Sequence, residues 1–195
     1  MRSPLLRVAN VLYHGIWFTS PLAWAEWRQK KPLPFWCMDL WIVLNLTAQG
    51  MALALTSPNS CLALSVALYG LVGATAALLR DAIDSPTIHR DDAGGYIRIR
   101  NRPRWLLLAF LGVLQIPTCF AILLLHWGAE FRPPICDPMT ALYQSLLTFT
   151  TLGYGDILPA TAWGKALISV ELLFFLIFLG LRLPLAVSVM RVKEE

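Results

Sequence analysis

Residues 148–159 read Thr-Phe-Thr-Thr-Leu-Gly-Tyr-Gly-Asp-Ile-Leu-Pro. Two glycines flank a tyrosine, between a run of threonines and an aspartate. Glycine reaches backbone angles that other residues avoid, so Gly153 and Gly155 permit a main-chain path closed to most sequences. Side-chain chemistry is scarce elsewhere. The cysteines Cys37, Cys61, Cys119 and Cys136 show no metal-type spacing. Asp81, Asp84, Asp91 and Asp92 with His89 read either as a metal or pH sensor or as a solvated linker turning at Gly94-Gly95. The polar residues form no nucleophile–base pair, so an enzyme is not expected, nor is a cofactor. Glu171 stands alone inside an apolar run.

The elements that must position the motif follow from hydropathy. Of 195 residues, 57% are hydrophobic and 14% charged, against about 25% charged in soluble domains. Mean hydropathy is +0.59. Soluble and disordered classes are excluded, and continuous apolar stretches argue against a strand barrel. An all-α membrane protein is expected. A span needs roughly 20 apolar residues. Four stretches qualify: 39–57, 61–79, 105–127 and 163–190. A shorter piece, 138–149, suits a re-entrant or buried helix, with Asp137 as N-cap and Pro138 at the first helical position.

Charge sets the orientation. Fourteen basic residues precede the first span, lie between the second and third, or end the fourth, whereas only Arg132 and Lys165 fall on the other side. The net charge of +4 therefore reports topology rather than nucleic-acid binding. Both termini are expected in the cytoplasm, as a multi-pass protein of the plasma membrane.

Four units are expected. Residues 1–36 form a cytoplasmic interfacial amphipathic segment. Its rivals are a signal peptide, for the Ala23-Trp24-Ala25 pattern, and a fifth span. Residues 37–80 form a two-helix peripheral membrane unit, 81–104 a cytoplasmic linker, and 105–195 the domain holding the glycine motif. Asn45 and Gln49, four apart, are expected to face protein. Ala63/Ala67 and Gly70/Ala74 are small-residue packing pairs. Cys61 and Cys136 both face outward and either pair or remain free, and Cys119 is expected to be buried.

The stretch Thr151-Leu152-Gly153-Tyr154-Gly155-Asp156 resembles the signature of the tetrameric potassium-channel family, and the likeness covers about 105–190. The order of elements also fits: span, outer loop, short helix, motif, long span. The resemblance implies four transmembrane helices plus a re-entrant pore helix and filter loop, in a homotetrameric pore. It implies that carbonyls of Thr151, Leu152, Gly153 and Tyr154 bind K⁺ as permeant ion. Rings of carbonyl oxygens from four copies would replace its water shell. Gly155 would complete the filter, Thr150 and Asp156 would support it, and the Thr151 hydroxyl would finish the innermost site. Three departures bear on the bracing behind the filter: Leu152 for the common Val, Tyr143-Gln144 for paired aromatics, and Leu147 for an acidic residue.

In the last span, Gly180 and Pro184 are a candidate gate hinge or merely packing positions. Glu171 faces a water-filled cavity, bonds behind the filter, or is buried neutral, because a lone charge there costs several kcal/mol. The second span lacks arginines before Arg80, so voltage sensing is not expected. The function this implies is passive, K⁺-selective conduction, with lipid bilayer, K⁺ and copies of itself as partners. The alternatives are a non-conducting or regulatory membrane subunit and a weakly selective cation channel.

Overall fold

The computed structural model describes residues 35–55, 60–83, 88–90, 97–99 and 102–191. The expected segment at 1–36 lies outside the described residues apart from its last two, which open the first helix. Five α-helices are present: α1 Phe35–Leu55, α2 Cys61–Ile83, α3 Arg102–His126, α4 Pro138–Phe149 and α5 Ala162–Arg191. The stop of α1 has a local cause, since Pro58 disfavours helix in the residue before it. Ser60 starts α2, accepting on its hydroxyl from the Ala63 N–H at 3.4 Å.

Within α5, Ala162–Gly180 is long and apolar enough to cross a membrane, and only 22% of that window is buried inside the chain. A soluble core helix would be mostly covered, so this one presents its apolar surface outward. Shorter apolar stretches are Leu40–Leu55, Cys61–Ala76 and Phe110–His126.

Helix α3 is the hub and packs against the other four helices. Its Ile116, Cys119, Phe120 and Leu124 are fully buried. Helix α2 turns the small residues Ala63, Ala67, Gly70 and Ala74 inward. The reason is visible at Gly70, where an added Cβ would lie 2.2 Å from Gln49 Nε2 and 2.7 Å from Cys119 Sγ. Gln115 Nε2 donates to the Gly70 carbonyl at 3.1 Å. Three helices thus meet at one glycine. Gln49 faces protein as expected, although its amide finds no hydrogen-bond partner among the described residues. Asn45 is only half-buried and donates to the Trp41 carbonyl of its own helix, so it does not join helices. Trp41 meets Tyr69 edge-on at 6.4 Å instead.

The 81–104 linker is shorter than the hydropathy suggested. Helix α2 runs on to Ile83 and α3 begins at Arg102. Between them, β1 Ile88–Arg90 pairs antiparallel with β2 Ile97–Ile99, with His89 opposite Arg98. Alternation of Ile and Arg at 97–100 is strand periodicity, which the linker reading did not use. Cys61 and Cys136 are both exposed and free, and Cys119 is buried.

After α3 a 3₁₀ turn, Gly128–Glu130, leads into β3 Phe131–Arg132, which pairs antiparallel with β4 Leu158–Pro159. The chain folds tightly here. The Ile135 N–H donates to the Gly128 carbonyl at 3.0 Å. A Cβ on Gly128 would lie 1.9 Å from the Ile135 carbonyl oxygen. Gly128→Ala is therefore expected to force the turn apart and to destabilise the fold by about 1–3 kcal/mol. Thermal unfolding in detergent should show a lower midpoint than wild type.

Candidate functional site

Helix α4 is the scaffold of the glycine motif. Asp137 caps it, accepting from the Thr140 N–H at 2.9 Å, with Pro138 in the first turn. Hydrogen bonds from Thr140, side chain first and backbone second, hold the Asp137 carboxyl below its ordinary range. The other end turns at Thr150, whose N–H and hydroxyl both donate to the Leu146 carbonyl, at 2.9 and 2.7 Å.

The backbone then changes character. Thr151, Gly153 and Gly155 have φ of 58, 51 and 77°, while Leu152 and Tyr154 keep the ordinary sign. Alternating positive and negative φ is a main-chain path that only glycine takes freely. No neighbour lies within 4 Å of a Cβ placed on Gly153 or Gly155. Conformation alone demands glycine there. Thr151 is the costly member, because a β-branched residue at positive φ is a genuine outlier worth about 1–3 kcal/mol. Its N–H donates to the Thr148 carbonyl and the Leu152 N–H to the Leu147 carbonyl, both at 3.0 Å. Its hydroxyl donates to the Thr150 carbonyl at 2.7 Å.

Residues 150–156 are all exposed in the single chain. Leu152 is 59% and Tyr154 70% exposed, so two large side chains are left uncovered beside the path. The support comes from behind. Phe149 packs edge-on against Phe175 of α5, centroids 4.8 Å apart. Asp156 lies close enough to Tyr143 to act on its hydroxyl. Beyond the motif, Thr161 Oγ1 donates to Glu130, and the Ala160 N–H donates to the Glu130 carbonyl at 2.8 Å.

Glu171 does not face a cavity. It is fully buried behind α4, bonded through Oε1 to the Ser145 hydroxyl, which also lies 2.9 Å from the Pro117 carbonyl oxygen of α3. Gly180 is exposed, and a Cβ there would meet nothing within 4 Å, so packing within the chain does not require it. The α5 backbone stays helical through Pro184, and the hinge reading concerns side chains outside those described. Three residues escaped the sequence reading: Ser145, Glu130 and Thr161. Ser145 had a signal, since a carboxyl buried in α5 needs a polar partner on the helix facing it.

Residues 106–191 match a protein family described as "Ion channel". A 72-residue stretch is 40% identical to a "Hyperpolarization-activated voltage-gated potassium channel" of Methanocaldococcus jannaschii. That alignment covers 36% of this chain, which spans about a third (34%) of the relative's length. No solved structure matches the chain. The family match begins in α3 and takes in α4, the alternating backbone and all of α5.

The Asp137 cap gives a test with a defined sign. A carboxyl held below its ordinary range contributes stability that is present above that range and lost as pH falls through the folded value. Asp137→Ala should lower the thermal midpoint at neutral pH. The two melting curves should converge in acid.

Proposed function

We propose that this chain is a subunit of a potassium-selective channel. The carbonyls of residues 151–155 line a fourfold axis in a homotetramer and pass K⁺ down its gradient. The alternation of φ sign at Thr151, Gly153 and Gly155 carries the reading. A potassium ion sheds its water at little cost only where several carbonyl oxygens replace it, and one loop cannot ring an ion, so four chains contribute. The local similarity to a potassium channel supports the same ion.

Helices α1, α2, α3 and α5 act as spans, with both termini in the cytoplasm of a plasma-membrane protein. Their 21, 23, 25 and 30 residues exceed the roughly 20 needed. At 12 residues, or roughly 18 Å, α4 is re-entrant. A helix C-terminus carries about half a negative charge. Four copies of α4 aimed at the axis favour a cation below the filter. The exposed Leu152 and Tyr154, with Leu173 and Leu176 of α5, supply apolar surface for neighbouring copies. Helices α1 and α2 pack outside the pore and do not sense voltage.

Substituting the filter separates this from a non-conducting subunit and from a weakly selective channel. Gly153→Ala and Gly155→Ala should abolish K⁺ selectivity or conduction, because a Cβ disfavours the required angles. Thr151→Ala should be milder, since the carbonyl stays. Asp156→Asn should alter stability of the open filter more than ion preference. Reversal potentials under K⁺/Na⁺ bi-ionic conditions in planar bilayers read this order. Wild-type selectivity surviving in Gly153→Ala would remove the main support, and a wild type without current would favour the regulatory subunit.

A further inference from the structure

Behind the filter, one hydroxyl faces two acceptors. Ser145 Oγ lies 2.9 Å from the Pro117 carbonyl oxygen and within hydrogen-bond distance of Glu171 Oε1. A serine hydroxyl carries a single proton. It cannot donate to both, so the second contact needs a proton from the other side. All three groups sit in the interior, with Ser145 and Glu171 fully buried. Glu171 Oε2 has no partner among the described residues. A carboxylate there would be a buried charge with at most one shared donor, an arrangement costing several kcal/mol.

Among the described residues no charge offsets it. The titratable groups with described side chains on the elements around Glu171 are Cys61 and Tyr69 on α2, Cys119 and His126 on α3, Tyr143 on α4 and Lys165 on α5. Cys61 is exposed, Tyr69 meets Trp41, Cys119 points to the Gly70 junction, His126 stacks edge-on against Trp127, and Tyr143 lies near Asp156. Lys165 is exposed at the outer end of α5, six positions away. Ser145 is the group that bonds Glu171.

We propose that Glu171 is a neutral acid and a positioning residue of the filter, donating to Ser145, which in turn donates to the Pro117 carbonyl. The proton order is fixed in one direction: Glu171 O–H to Ser145 Oγ, then Ser145 O–H to Pro117. One polar chain thereby ties α5, α4 and α3 together, one turn before the end of α4 that starts the alternating backbone. The filter's posture and α5 become mechanically coupled. This deepens the channel reading and, in its effect on conduction, rests on it.

The test uses purified full-length protein reconstituted in lipid, comparing wild type, Glu171→Gln, Glu171→Ala and Ser145→Ala. Infrared difference spectra between wild type and Glu171→Gln at neutral pH should contain the carbonyl stretch of a protonated carboxylic acid. A carboxylate signal in its place overturns the proposal. Glu171→Gln keeps a donor and should retain K⁺ current. Ser145→Ala and Glu171→Ala should lower open probability about tenfold, the factor a lost buried hydrogen bond carries, and should lower the melting temperature. Unchanged current and melting in Ser145→Ala would overturn the positioning role even if Glu171→Ala fails to fold. Absence of wild-type current would fail the channel reading alone, since the infrared band and the melting of Ser145→Ala report the clamp without it.

Discussion

A backbone that alternates handedness at every second residue makes no hydrogen-bond ladder of its own. At Thr151, Gly153 and Gly155 the chain holds positive φ, and a Cβ built on either glycine meets nothing within 4 Å among the described residues. Such a segment persists only if its surroundings over-determine it. Two main-chain bonds return Thr151 and Leu152 to the last turn of α4. The posture of α4 therefore becomes the posture of residues 151–155.

The rest of the molecule fixes that helix. Its start is capped by Asp137, its buried face meets α3 and α5, and Phe149 is packed against Phe175. The short β3–β4 pairing and the Glu130–Thr161 contact join the loop before α4 to the loop after the glycine motif. Trp127 against Trp163, centroids 5.5 Å apart, continues that junction between α3 and α5. Helices α1 and α2 contribute by backing α3 through the Gly70 junction.

Much of this was legible in the sequence, for identifiable reasons. Unbroken apolar runs located α1, α2, α3 and α5, and Asp137-Pro138 located the start of α4 to the residue. The glycine motif named the segment whose backbone alternates in the sign of φ. The positive φ of Thr151 was hidden, because no residue type announces a left-handed β-branched residue. The Ser145–Glu171 pair was hidden as well, since it joins residues whose proximity is set by helix packing. Asn45 shows the converse, a polar residue within an apolar helix whose bond stays in its own helix. The β1–β2 hairpin was missed because four aspartates and two glycines read as solvated linker.

The account turns on residues 151–155 forming an ion path shared by four chains. Anomalous diffraction from crystals of the detergent-solubilised protein grown with Tl⁺, a heavy mimic of K⁺, tests this most directly. The account predicts a row of anomalous peaks on a fourfold axis, level with the carbonyls of Thr151 to Tyr154. An assembly without that axis, or Tl⁺ bound elsewhere and absent from the motif, would contradict it.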